Sequence, residues 1–238
     1  MGNDKKILIQ RWQSDAGRVI LQQINDFFFQ LQYPGHGQSL DHILALIGGL
    51  PGSDDVPGGR DFRGIHLVGG VHELDFSGAD FSYAVLEFNF VNCDLKKCVF
   101  DHADARGSIL LKQLRGASFT GARLNGCFFQ EADVRDCRFD QASLRQANFQ
   151  GADLRGSRFK NAQCQKAKFL AADMRETGFR GADLRQAVLQ AAVIDKSTDF
   201  SAADLRGAFS HTIADKSGNT VWEGVDLKNA TYDEATIF

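Results

Sequence analysis

From residue 117 onward a large apolar residue returns at every fifth position: Phe119, Leu124, Phe129, Val134, Phe139, Leu144, Phe149, Leu154, Phe159, Cys164, Phe169, Met174, Phe179, Leu184, Leu189 and Ile194. Two positions before each stands a small residue, usually Ala, and polar residues fill the rest, as in Ala152-Asp153-Leu154-Arg155-Gly156. A period of five is neither the roughly 3.6 of a helix nor the roughly 2 of a strand. The repeat itself, rather than local propensity, therefore decides the fold.

This small–polar–apolar–polar–polar unit resembles the pentapeptide-repeat family, whose motif is A(D/N)LXX, and the likeness covers residues 60–238. It implies an all-β solenoid, a right-handed quadrilateral β-helix in which four units make one square coil. The central apolar residue and the small residue before it would face inward. The sequence independently asks for an even number of sides, because Phe alternates with another apolar residue from Phe119 to Leu184. With four sides, Phe119, Phe139, Phe159 and Phe179 share one column, and Phe129, Phe149 and Phe169 the column opposite. The remaining columns hold Leu124, Leu144, Cys164 and Leu184, and Val134, Leu154, Met174 and Ile194. Coils stacked at strand spacing, about 4.8 Å, would bury each ring, worth about 1.5–3 kcal/mol apiece.

Outside this run the beat is uneven. Between Phe62 and Leu114 the expected centres are Phe62, Leu67, Val71, Phe76, Phe81, Leu86, Phe90, Leu95, Phe100, Ala105, Leu110 and Leu114. Three of these steps are four residues long, and each is expected to tighten or distort a corner; Ala105 would leave its column short of volume. The register slips by one at Phe200, continues to Leu205, weakens, and returns at Trp222, Leu227, Tyr232 and Ile237. Residues 211–221 read as a loop, with Trp222 and Tyr232 plugging the C-terminal opening.

Residues 1–59 lack the beat and read as an N-terminal helical cap for the first coil, whose edge would otherwise expose unpaired backbone groups. Ser14 suits the N-cap of a helix over 15–31, with Ile20, Ile24, Phe27, Phe28 and Leu31 on one face. Ser39 suits the cap of a second helix, Leu40 to Ile47, and residues 48–59 read as loop. Arg11-Trp12 with Gly17, and later Arg60-Asp61-Phe62-Arg63-Gly64, look like the leader of some bacterial members of the family. A partner-binding role for these helices is the alternative to a cap.

Composition narrows the function. Twenty Phe against three Tyr and two Trp mark the rings as core rather than contact surface. Five Cys without a CxxC pair (Cys93, Cys98, Cys127, Cys137 and Cys164) read as small buried thiols. Six scattered His form no metal-ligand spacing, and no glycine-rich loop opens a helix as a phosphate cradle would. Neither cofactor, metal nor catalytic residue is expected. With no membrane span and no secretory segment at the start, a cytoplasmic protein is the expectation.

Charge runs in blocks along the expected axis. Residues 61–110 carry a net −4, residues 117–196 a net +4, and residues 197–238 a net −4. Asp133, Asp153 and Asp173 each precede a centre and Arg135, Arg155 and Arg175 each follow one, which predicts an exposed Asp–Arg face. The face centred on Phe129, Phe149, Phe169 and Leu189 differs: Phe128, Gln130, Gln150, Leu170, Val188 and Gln190 should point outward with few charges. Such a strip suits a protein contact, while stacked Gln ladders that only stabilise the coils are the plainer reading.

The expected function is a non-enzymatic scaffold presenting flat faces to a protein partner or to a second copy in a homodimer. The family resemblance implies an alternative, binding to a type II topoisomerase such as gyrase by DNA mimicry and protecting it from quinolone-like poisons. That role calls for unpaired carboxylates spaced like phosphates, and the basic middle has the opposite sign. Direct nucleic-acid binding is not expected, because the aromatics that would stack on bases face inward.

Overall fold

The computed structural model describes residues 2–31, 43, 60–210, 225–234 and 236. From residue 60 the chain winds into a four-sided coil whose successive turns pair as parallel bridges. Over the uninterrupted repeat each bridge joins residues twenty apart, as in Asp133 to Asp153 and Asp153 to Asp173. Most corners close in the same way. The small residue's N–H donates to the carbonyl of the preceding centre, for example Ala122 to Phe119 at 3.1 Å and Ala147 to Leu144 at 3.0 Å. The residue two after most centres takes a positive φ, +69° at Gly126 and +61° at Gln141, the pattern of a type II turn.

The interior is solid. Phe62, Phe81, Phe100, Phe119, Phe139, Phe159, Phe179 and Phe200 form a single face-to-face stack, with centroids 4.7–5.1 Å apart. Phe129, Phe149 and Phe169 form the second, at 4.6 and 5.2 Å. The two stacks meet edge-on across the axis, Phe139 to Phe149 at 5.7 Å and 86°, the T-shaped contact that ring quadrupoles favour. All members of both columns, and the aliphatics Leu124, Val134, Leu144, Leu154, Met174 and Leu184, are fully buried.

The small position is more than a spacer. Where Ser, Thr or Cys replaces Ala there, its side chain donates to the carbonyl of a centre one coil back: Ser108 to Leu86 at 2.9 Å, Thr177 to Leu154 at 2.9 Å, Cys98 to Phe76 at 3.0 Å and Cys137 to Leu114 at 3.0 Å. All five cysteines are free and buried. Burial pushes the thiols up, Cys93 to about 11 and Cys127 and Cys137 to about 12, so they stay protonated.

Two of the three four-residue steps do not tighten corners; the third, Leu110–Leu114, keeps one, distorted to a φ of +91° at Lys112. At Leu67–Val71 and Leu86–Phe90 the turn disappears and the chain runs straight as β1 (His66–His72) and β2 (Val85–Val91), paired in parallel. Residues four apart on a strand face the same way, so both centres stay inward without a turn. In β2 the intervening Phe88 also points in, a core residue absent from the five-residue beat. Coils containing a short step span nineteen residues, as in Asp80 to Val99. Ala105 is fully buried at its centre.

The slip at Phe200 is taken up at the corner. Thr198 donates to Asp195 rather than to the centre Ile194, the offset becomes twenty-one, and Phe200 still stacks on Phe179 at 5.1 Å. Later bridges, Asp199 to Asp226 and Asp204 to Thr231, span twenty-seven. Leu227 packs against the core. Tyr232 is 57% exposed and so does not plug the end. The expected loop 211–221, Trp222, Ile237, the helix at 40–47 and the loop at 48–59 lie outside the described residues, apart from the buried Ile43.

Two helices sit on the first coil, α1 (Gly2–Gln13) and α2 (Asp15–Leu31). The sequence pattern identified α2 but not α1, whose burial rests on two side chains rather than a stripe. Ser14 Oγ accepts from the Gly17 N–H at 3.0 Å and donates to the Arg11 carbonyl at 2.6 Å, so one hydroxyl caps α2 and closes α1. Ile24, Phe27 and Phe28 bury, with Phe28 against Phe88 at 5.3 Å. Arg11 binds Asp61 through both carboxylate oxygens at 2.6 and 2.9 Å, and Trp12 Nε1 donates to the Arg63 carbonyl at 2.8 Å. A Cβ on Gly64 would stand 3.0 Å from the Leu8 backbone, and one on Gly17 only 2.0 Å from the Arg11 carbonyl. The leader residues are thus the contacts by which the cap docks.

Candidate functional site

A square coil has four outer faces, and each centre's two flanking residues point out from one of them. On the Val134 face the expected Asp–Arg ladder is present. Arg135, Arg155 and Arg175 each grip the Asp two residues before, at 2.7, 2.6 and 2.5 Å, and Arg135 and Arg155 reach toward the next coil's Asp at 3.5 and 3.6 Å. Hydrogen bonds from these arginines hold Asp133, Asp153 and Asp173 below the usual carboxylate range. A second ladder, Asp183–Arg185–Asp204–Arg206, runs on the Leu124 face, which the sequence pattern did not single out.

The Phe129 face is built differently. One row of residues preceding the centres is bridged through Ile109, Phe128, Asn148, Lys168, Val188 and Phe209. Each alternates with a buried neighbour, so its side chain is forced outward. Phe128 is 41% and Phe209 37% exposed, high for rings in a chain whose other Phe are mostly core. The row following the centres holds Gln130, Gln150, Leu170 and Gln190, with Leu111 at its start; the three Gln are exposed, and Leu170, Val188 and Leu111 are half-buried.

The expected residues are therefore brought together, with one correction. Lys168 lies inside the strip, in keeping with the few charges expected there. The apolar part extends further than the five-residue beat suggested, to Ile109 and Leu111 at one end and Phe209 at the other. Phe209 escaped notice because the following centre position holds Ser210, where the beat had faded. The strip is thus two apolar clusters, one around Phe128 and one of Leu170, Val188 and Phe209. Lys168 and Asn148 lie between them, and Asn148 Oδ1 is engaged by the Gln150 N–H at 3.0 Å. Among the described residues no three His, Cys, Asp or Glu gather as a metal site, and no helix is long and apolar enough to cross a membrane.

A family model described as a pentapeptide repeat region matches residues 88–169 and 122–209, together more than half of the chain. The chain belongs to the pentapeptide-repeat family. Its coil is the family's right-handed quadrilateral β-helix. Among solved structures it is similar to trypsin-treated QnrB1, a plasmid-mediated fluoroquinolone resistance protein, at 21% identity over 73% of this chain and 86% of that one, with a TM-score of 0.51. It is also similar to HetL, a pentapeptide repeat protein involved in heterocyst differentiation regulation from Nostoc sp. strain PCC 7120, at 20% identity over 71% and 86%, with a TM-score of 0.31. No match was found among curated proteins.

Proposed function

We propose that this pentapeptide-repeat protein is a non-enzymatic scaffold that docks a protein partner on its Phe129 face. The observation that carries the reading is the exposure of Phe128 and Phe209 on one wall, while the Val134 wall is closed by paired charges. Apolar clusters with a polar centre suit a specific contact better than a solvated ladder does. A cytoplasmic setting fits five free cysteines.

Replacing Phe128 and Leu170 together with Arg puts a charge in each cluster without touching the core. Affinity capture of the tagged protein from its own host should lose its principal partner in this variant, while the far-UV spectrum is unchanged. A partner retained at equal yield overturns the reading. Sedimentation velocity of both proteins separates a second copy from a different chain, since a homodimer would dissociate in the variant.

Topoisomerase protection by DNA mimicry stands second. DNA-gripping surfaces are rich in Lys and Arg and would want carboxylates unpaired, whereas the aspartates of this rod are largely held by arginine. Gyrase supercoiling measured with a quinolone, with and without the protein, decides it: protection would promote this reading, and unaltered inhibition removes it.

A further inference from the structure

A groove of 580 Å³ runs along the corner between the Leu124 and Phe129 faces, crossing several coils. Its floor and walls come from the residues just after the Leu124-column centres, Asn125, Arg145, Gln165 and Arg185, and from the turn residues beside them, among which are Gln146 and Lys166. No carboxylate lines it. Arg185 is tied to Asp183 at 2.6 Å, but Arg145 and Lys166 make no ion pair among the described residues. In a rod where most arginines are matched to an Asp, two unmatched cations sharing one concavity are a departure. The lining is otherwise carboxamide.

We propose that this groove binds an acidic peptide segment of a protein partner. The unmatched cations call for an anion. The carboxamides select among anions, since each carries both donors and acceptors, as a peptide backbone does, whereas a phosphate chain offers acceptors only. Gln165 Nε2 already donates to Asp183, and Asn125 Oδ1 already accepts from the Ser143 hydroxyl and the Arg145 N–H, which leaves Gln146 and Gln186 as the carboxamides to meet a segment's backbone.

The test is fluorescence anisotropy with a fluorescein-labelled, end-capped peptide of alternating Glu and Ala, titrated with the full chain at low and at physiological salt. The wild type should bind saturably and more weakly as salt rises. Arg145→Glu combined with Lys166→Glu should weaken binding by about tenfold or more, as loss of two charge-assisted contacts implies. Phe128→Ser with Leu170→Ser, which adds no charge beside the groove, should leave peptide binding unchanged, so that the groove and the apolar strip fail or stand separately. Far-UV spectra check that each variant is folded. No binding by the wild type, undiminished binding by the Arg145/Lys166 variant, or tighter binding of a labelled single-stranded oligonucleotide of equal charge would each overturn the proposal.

Discussion

Among the described residues, eighteen other than glycine hold a positive φ, nearly all at the same place in a corner. An L-residue with a side chain pays roughly 1–2 kcal/mol for that conformation, while glycine adopts it freely at a smaller entropic cost. Ala171 is the clearest case: its φ is +56° and it is exposed. Ala171→Gly should therefore stabilise the protein by about 1 kcal/mol, read as a rise in urea midpoint; a fall would mean that these corners are held by something other than backbone preference. The inward residues could be read from sequence because each must be a large apolar group or a small one, and five-residue spacing leaves no alternative. The turn residues could not, since Gly, Asn, Gln, Glu, Lys and Ala all occupy the same conformation and show no common chemistry.

Elements were legible to the extent that a pattern repeats. α2 announced itself through Ile24, Phe27 and Phe28. α1 did not, because the side chains it buries are those of Arg11 and Trp12, with little apolar periodicity to see. β1 and β2 were hidden because a spacing of four fits a squeezed corner as well as a strand, and only the pairing of His66–His72 with Val85–Val91 separates the two. The docking of the cap is also the element most open to pH. Burial would raise the carboxyl of Asp61, but hydrogen bonds from Arg11 and Arg63 prevail and hold it at about 2, below its ordinary 3.8. A carboxylate lowered in the folded state stabilises it above the ordinary value and loses that contribution as pH falls toward the folded one, here about 2 kcal/mol in all. Asp80, 4.0 Å from Arg63, is raised by burial and acts in the opposite sense. With Trp222 replaced by Phe, leaving Trp12 as the reporter, tryptophan emission should be steady above pH about 4 and shift progressively below it. Asp61→Asn, which leaves Arg11 buried without its counter-charge, should show the shifted emission already at neutral pH. Emission unchanged down to pH 2 in the parent would mean that this ion pair does not hold the cap.

Over the whole molecule the faces do different work on one frame. Paired charges solvate the Val134 wall, an apolar strip marks the Phe129 wall, and unmatched cations gather at the corner beside it. The strip was visible in sequence wherever the beat was regular, at Phe128, Leu170 and Val188, and invisible at Phe209, where Ser210 interrupts it. The groove was not visible at all, because its lining residues lie twenty apart and become neighbours only once the coil length is known. A rigid frame has the further consequence that a contact on one wall should leave the opposite wall untouched. The most direct measurement is therefore position-specific photo-crosslinking in the native host, with a benzophenone amino acid placed either at position 128 on the strip or at position 158 on the opposite Phe119 face. A discrete, light-dependent protein adduct from position 128 and none from position 158 is the predicted result. Adducts of equal yield from both positions, or from neither, would contradict the account.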